Sequence, residues 1–237
     1  MSALAGEFVG TALLILLGDG VVANVVLKGT KGHGGGWIVI TFGWAMAVFV
    51  GVLTVAKSSG AHLNPAVSIG LAAAGTFDWQ LVATYILAQM FGACFGATLV
   101  WLIYKSHLDQ SDDANAKLAV FCTGPAIRSG SSNFTSELIG TFVLVLAALN
   151  ISSKLGSLDA LPIALVVFSI GLSLGGTTGY AINPARDLGP RIMHALLPIV
   201  GKRDSDWGYA WIPVAGPIAG GLLAALAFRV LAGGSPS

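Results

Sequence analysis

Two copies of the tripeptide Asn-Pro-Ala lie inside apolar stretches of this chain, as Asn64-Pro65-Ala66 and Asn183-Pro184-Ala185. Asparagine is a preferred helix N-cap and proline is preferred at the first helical position, so each copy predicts the start of a helix. The backbone before each motif, at 58–63 and 175–182, is then irregular. In hydrocarbon, such backbone is tolerated only where it is buried in protein or lines a water-filled path. A single copy fits an ordinary turn or cap, but the pair predicts a pore.

The composition indicates a membrane protein. Of the 237 residues, 55% are hydrophobic and only 10% are charged, whereas about a quarter of the residues are charged in an average soluble domain. The net charge of +1 offers no basic surface for nucleic acid. Cys94 lies among apolar residues and Cys122 in a polar connection, so the two cysteines form neither a disulfide framework nor a metal-ligand pattern. We expect no cofactor and no metal.

Six apolar stretches predict membrane-spanning helices, each of which needs about 20 residues. They lie near 4–27, 37–56, 81–104, 134–151, 161–175 and 209–231, and the fifth is the shortest. The first is too long for a signal-peptide core and lacks a basic leader, so we expect it to remain in the chain.

Two further apolar runs, 64–74 and 183–197, begin at the Asn-Pro-Ala motifs. The first would cover about 16 Å as a helix, roughly half of the hydrocarbon core. We therefore expect two half-helices that re-enter the membrane without crossing it.

The chain contains an internal repeat. Residues 7–11 recur at 137–141, residues 59–66 recur at 178–185, and residues 92–96 recur more loosely at 216–220. Three spans per half place the two halves in opposite orientations. We expect one domain, 1–237, built from inverted repeats at about 1–104 and 134–237 and joined by an extramembrane loop at 105–133. A broken segment in each inverted repeat places the functional site at the membrane midplane.

These features resemble the major intrinsic protein family, the aquaporins and aquaglyceroporins. The resemblance covers nearly the whole chain. It rests on the paired Asn-Pro-Ala motifs, the string Ser-Gly-Ala-His-Leu-Asn-Pro-Ala at 59–66 and the two Glu-x-x-Gly-Thr sequences that begin at Glu7 and Glu137. It implies an all-α fold of six tilted helices plus two re-entrant half-helices, assembled as a homotetramer with one pore per subunit.

The resemblance also implies a second constriction, the family's aromatic and arginine filter, at Trp44, Gly171, Tyr180 and Arg186. Water-specific members have histidine at the Gly171 position, and glycine is expected to leave that space open. Asp187 is a mark of the glycerol-conducting branch, whose members most often have phenylalanine at the Tyr180 position. The two aromatic faces would contact a carbon backbone, while the Arg186 guanidinium would donate hydrogen bonds to hydroxyls.

Several of these residues have an alternative interpretation. Arg186 alone fits an interfacial cation, and Trp44 and Tyr180 fit an aromatic belt. Intramembrane carboxylates such as Glu7 and Glu137 are by default candidates for proton relays or ion sites. A matched pair better fits braces that accept hydrogen bonds from the backbone N–H groups of the two re-entrant loops.

His62 adjoins the first motif and is expected to be a packed residue that lines the pore. The alternative is a pH gate, since histidine titrates near neutral pH.

The expected function is passive diffusion of glycerol, water and similar small neutral solutes. Ions and protons are expected to be excluded, and each half-helix N-terminus repels cations because it carries about +0.5 of an elementary charge. The alternatives within the channel class are a water-dominant pore, or a pore for urea, dihydroxyacetone, hydrogen peroxide or undissociated lactic acid. A coupled secondary transporter also uses inverted repeats and broken helices, but it needs an ionisable midplane site. No catalytic motif favours an enzyme.

The expected location is the cell membrane, with lipid around the helices and both termini in the cytoplasm, as in the family. That orientation places Lys57, Lys154 and Arg229 inside, contrary to the positive-inside rule. The cations that it places outside are Lys28, Lys31, Lys105, Lys117, Arg128, Arg191, Lys202 and Arg203. The segment 121–128 is expected to fold over the outer mouth of the pore.

Overall fold

The computed structural model of the chain describes residues 1–151 and 160–231. Over these two ranges it contains nine α-helices and no strand. In chain order they are α1 (Ala3–Val26), α2 (Trp37–Ser59), α3 (Pro65–Ala74), α4 (Trp79–Gln110), α5 (Ala114–Phe121), α6 (Gly130–Asn150), α7 (Ala160–Ser173), α8 (Pro184–Leu196) and α9 (Ile212–Leu231).

Five of the helices, α1, α2, α4, α6 and α9, are long and apolar enough to cross a membrane. The fifth predicted span corresponds to α7, whose 14 described residues are apolar but fewer than a full crossing requires. The residues directly before it, 152–159, lie outside the described ranges and include Lys154. The two half-helices, α3 and α8, have 10 and 13 residues. The predicted all-helical membrane fold is confirmed.

The connection between the halves differs from the loop expected at 105–133. Helix α4 continues to Gln110, where an ion pair of 2.5 Å between Lys105 and Asp109 joins successive turns. Helix α5 follows because the Asp113 side chain caps it, accepting hydrogen bonds from the N–H groups of Asn115 and Ala116 at 2.8 and 3.0 Å. Helix α6 then begins at Gly130. Parts of α4 and α6, together with α5, therefore occupy much of the segment that hydropathy alone assigns to a loop.

The two halves use the same close helix contacts. Helix α1 packs against α4 in the first half, and α6 packs against α9 in the second. A Cβ added at Gly92 or Gly96 would lie within 2.5 Å of an α1 backbone oxygen. At Gly220 it would lie 2.2 Å from the backbone oxygen of Leu138 in α6. The small residues thus allow the helix backbones to touch, as their spacing of four predicts.

Candidate functional site

The two Asn-Pro-Ala motifs meet through a reciprocal pair of hydrogen bonds. Asn64 Oδ1 accepts from the N–H of Ala66 at 2.8 Å and so caps α3, while Asn64 Nδ2 donates to the carbonyl of Ile182 at 2.8 Å. Asn183 Oδ1 likewise caps α8, and its Nδ2 donates to the carbonyl of Leu63 at 2.8 Å. The half-helices therefore start side by side. Because an amide NH₂ has two hydrogens, each asparagine retains one donor for a solute.

Glu7 lies where a brace of the first re-entrant loop is needed. Its carboxylate is fully buried and accepts hydrogen bonds from the N–H groups of His62 and Leu63 at 2.9 and 2.8 Å. It also accepts one from Gln89 Nε2 at 2.7 Å. The two backbone donors hold the loop that leads to the first motif, while Gln89, in α4, positions the carboxylate.

Glu137 repeats this arrangement in the second half. It accepts hydrogen bonds from the N–H groups of Ala181 and Ile182 at 3.0 and 2.7 Å and from Thr178 Oγ1 at 2.7 Å. Both loops also contain two non-glycine residues with positive φ, Ala61 and Leu63 in one and Tyr180 and Ile182 in the other. Such backbone costs about 1–3 kcal/mol per residue, and the hydrogen bonds to the carboxylates offset that cost.

Two cavities meet at a constriction made by Trp44, Tyr180 and Arg186. The first, of about 430 Å³, extends from Lys57 at the C-terminal end of α2 past both motif asparagines. The second, of about 300 Å³, extends to Trp37 at the opposite end of the same helix. The three constriction residues line both cavities. The two cavities therefore form one path along α2, and these three residues form a constriction in it.

The constriction is buried and holds its arginine on two sides. Trp44, Tyr180 and Arg186 are only 5–6% exposed. The Arg186 guanidinium carbon lies 4.1 Å from the centroid of the Trp44 ring. Its Nη1 atom lies 3.3 Å from Oδ1 of Asp19, which is fully buried in α1. These positions do not fit an interfacial cation or an aromatic belt, since both require exposure at the membrane surface.

Comparison with known proteins agrees with this geometry. The sequence profile described as Major intrinsic protein matches residues 1–228. The chain belongs to the major intrinsic protein family. This major intrinsic protein is 58% identical to the probable glycerol uptake facilitator protein of Thermotoga maritima, over 98% of this chain and 100% of the relative. It is 56% identical to the glycerol uptake facilitator protein of Streptococcus pneumoniae, over 97% and 99% of the two chains.

A solved structure shares the fold of this major intrinsic protein. The aquaglyceroporin from Plasmodium falciparum is 33% identical in sequence and superposes with a TM-score of 0.85, over 95% of this chain and 94% of the other. This likeness confirms the aquaporin-like fold, and with the apolar helices it makes the chain an integral membrane protein.

Gly171 does not leave an open space in this major intrinsic protein, and that expectation is wrong. A Cβ added at Gly171 would lie 2.9 Å from both Tyr180 Cζ and Thr41 Cγ2, so these side chains already fill the position. Trp37 holds the same corner because its indole N–H donates to the Gly171 carbonyl at 3.0 Å and its ring packs edge-on to Tyr180. The glycine is therefore needed for the placement of Tyr180.

Asp187 anchors a segment at the mouth of the second cavity. Its carboxylate accepts hydrogen bonds from the N–H and Oγ1 of Thr123 at 2.8 and 2.6 Å. It also accepts two from Arg191, at 2.6 and 2.8 Å, and Arg191 in turn donates to the Thr123 carbonyl. Residues 122–126, which fall within the segment 121–128 expected at the outer mouth, line this cavity.

His62 lines the first cavity and packs against neighbouring side chains. Its Nδ1 atom lies 3.0 Å from Ser68 Oγ, and its ring contacts those of Phe77 and Tyr85, with centroid distances of 4.5 and 5.0 Å. These contacts fit a packed lining residue.

Two residues that the motifs do not indicate contact the constriction, Asp19 through Arg186 and Trp37 through Tyr180. Asp19 and Glu7 are the two acids within the apolar helix α1, and a buried intramembrane carboxylate is a candidate functional residue. Trp37 begins α2 and resembles an interfacial aromatic in sequence. Within residues 1–151 and 160–231, no group of three or more His, Cys, Asp or Glu side chains is placed to bind a metal.

Proposed function

We propose that this chain is a passive channel for glycerol, water and similar small neutral solutes. The observation that carries the proposal is the pair of cavities that meet at Trp44, Tyr180 and Arg186, with both motif asparagines lining the larger one. The similarity to proteins named glycerol uptake facilitators supports glycerol as the principal solute.

The lining suits a molecule with hydroxyls on one side and carbons on the other. Spare donors on Asn64, Asn183 and Arg186 replace the hydrogen bonds that a solute loses on leaving water. The rest of the larger cavity is mainly aliphatic and includes Leu14, Val48, Val52, Val67, Leu71, Leu144, Ile163 and Val167. These side chains offer no hydrogen bond to a hydrated ion, so an ion would pay a desolvation cost that a polyol avoids.

Cations meet an additional barrier at the motif asparagines. The N-termini of α3 and α8 lie together there, and each contributes about +0.5 of an elementary charge from its helix dipole. The buried acids nearby do not provide a coupling-ion site, because Glu7 and Glu137 are occupied by loop N–H groups and Asp19 faces Arg186. The geometry therefore favours a channel over a coupled transporter.

The proposed orientation places both termini in the cytoplasm of the cell and α5 on the outer side. This orientation is contrary to the positive-inside rule, to which long connections contribute weakly, and four of the cations on the α5 side are paired with acids. The pairs are Lys105–Asp109, Arg128–Asp206, Arg191–Asp187 and Arg203–Asp204. We further propose a homotetramer with one pore in each subunit, in the cell membrane.

Reconstituted liposomes test the proposed function. Light scattering after an osmotic step should show faster water efflux and faster glycerol entry than in empty liposomes, independent of ion gradients and voltage. Val52 lines the larger cavity, whereas Leu53 is 53% exposed on the outside of α2. Val52→Trp should therefore block both fluxes and Leu53→Trp should leave them unchanged. Accumulation of glycerol against its gradient, or glycerol entry no faster than in empty liposomes, would reject the proposal.

A further inference from the structure

Asp19 occupies an unusual position for an acid in an apolar helix. It has no exposed surface, and its Oδ1 atom lies 3.3 Å from Nη1 of Arg186, at the constriction. The preceding residue, Gly18, lies against the Trp44 ring, since a Cβ there would be 2.2 Å from Trp44 Cζ3. The dipeptide Gly18-Asp19 therefore packs behind the constriction, with Gly18 against Trp44 and Asp19 against Arg186.

The internal repeat shows that Asp19 is not part of the shared scaffold. When residues 7–11 are aligned with 137–141, Asp19 falls opposite Leu149. When the two Asn-Pro-Ala motifs are aligned, Arg186 falls opposite Val67. Each charge is thus present in one half and replaced by an apolar residue in the other, unlike Glu7 and Glu137, which occur in both. The two asymmetric charges contact each other across the halves.

The distance between the two charges shows that Asp19 holds Arg186 loosely. A charge-assisted hydrogen bond usually measures 2.7–2.9 Å, so the contact of 3.3 Å balances the charge of Arg186 while holding it only loosely. The cation–π contact with Trp44 holds the guanidinium over the indole ring, and its other N–H groups remain available to a solute. The second Asp19 oxygen, Oδ2, is buried and has no hydrogen-bond partner among the described residues. An uncompensated charge at this depth would dominate the local field.

We propose that Asp19 is a selectivity-determining and positioning residue, which cancels the charge of Arg186 so that the constriction is electrically neutral yet still donates hydrogen bonds. This inference rests on the proposed channel function. Removing Asp19 leaves a positive constriction, which favours small anions. Removing Arg186 leaves a negative constriction, which favours cations. Removing both charges restores neutrality.

The test compares ion leakage in four proteins reconstituted in liposomes: wild type, Asp19→Asn, Arg186→Ala and the double variant. Sodium and proton leakage should rise at least about tenfold in Arg186→Ala, since a cleft of one sign concentrates counterions by that factor or more. The double variant should lose most of this increase. Asp19→Asn alone should shift the anion-to-cation permeability ratio, measured from reversal potentials in bilayers, toward chloride.

Asp204→Asn serves as the control because it removes the same charge from an exposed side chain, 70% accessible. Wild-type glycerol flux, measured in the same vesicles, separates the two proposals, since its absence rejects the channel itself. Equal cation leakage in Arg186→Ala and in the double variant would overturn the role of Asp19. So would an unchanged permeability ratio in Asp19→Asn. Asp19→Ser provides a second neutral variant if the asparagine protein does not fold.

Discussion

The phenol end of Tyr180 lies against the backbone of Gly171, so that a methyl group at Gly171 would come within 3.0 Å of the Tyr180 hydroxyl oxygen. The two residues belong to different elements, α7 and the second re-entrant loop. Their contact sets one wall of the constriction. The size of residue 171 therefore affects the width of the constriction by setting the position of the Tyr180 ring.

Gly171→Ala should narrow the constriction because the new methyl group displaces the Tyr180 ring. We expect glycerol flux to fall about tenfold or more, equivalent to a barrier about 1.4 kcal/mol higher, while water flux falls less because water is smaller. The double variant Gly171→Ala/Tyr180→Phe should recover part of the glycerol flux, since the hydroxyl is one of the closest atoms. Gly130→Ala is the control because Gly130 lines neither cavity and a Cβ there meets no atom within 4 Å. Unchanged glycerol flux in Gly171→Ala would contradict this prediction.

Asn183→Ala should destabilise the protein and reduce glycerol flux. The substitution removes the cap of α8 and the donor to the Leu63 carbonyl. Loss of a cap costs about 0.5–2 kcal/mol, and a buried carbonyl without a partner adds about 1–3 kcal/mol. Thermal unfolding in detergent measures the stability. Asn150→Ala, at an exposed asparagine that donates within its own helix, should change the free energy of unfolding by less than about 0.5 kcal/mol. Equal effects of the two substitutions would contradict the assigned role.

Glu137→Gln should lower stability without changing the mode of transport. An amide places an N–H group among donors that now point at carboxylate oxygens, at a cost of about 1–3 kcal/mol. Thr178→Val removes one of the three hydrogen bonds to Glu137 and should cost about 1 kcal/mol. Denaturation in detergent and glycerol flux under imposed pH gradients provide the measurements. Flux that follows a proton gradient in the wild type and loses this dependence in Glu137→Gln would show a proton relay instead of a brace.

Asp187→Asn should loosen the segment 122–126 at the mouth of the second cavity. It breaks a fully buried ion pair with Arg191 and leaves that arginine uncompensated, at a cost of about 3–5 kcal/mol. Hydrogen exchange of the backbone amides at 122–124 and 126 should become faster. Asp109→Asn removes a surface ion pair worth about 0–1 kcal/mol and is the matched control. Unchanged exchange at 122–126 in Asp187→Asn would argue against the tether.

Much of the fold follows from local sequence chemistry. Asn64 and Asn183 predict the starts of α3 and α8 because capping depends on neighbours two or three residues away. The matched residues Glu7 and Glu137 indicate braces because both re-entrant loops contain backbone N–H groups that need an acceptor.

Tertiary contacts account for the features that the sequence does not predict. The pairing of Asp19 with Arg186 joins residues 167 positions apart, and no local pattern connects them. The filled space at Gly171 depends on where the Tyr180 ring packs. Hydropathy does not indicate the helical part of the connection, because it marks only the membrane-crossing portion of α4 and α5 is not a membrane span.

The reciprocal hydrogen bonds of Asn64 and Asn183 also bear on how the protein is made. Each asparagine satisfies a carbonyl that belongs to the other half of the chain, so half a chain in the membrane leaves a donor and an acceptor without partners. An unsatisfied backbone group in hydrocarbon costs several kcal/mol. The first half therefore cannot reach its final structure during synthesis until the second has been inserted, and the two repeats mature as one cooperative unit.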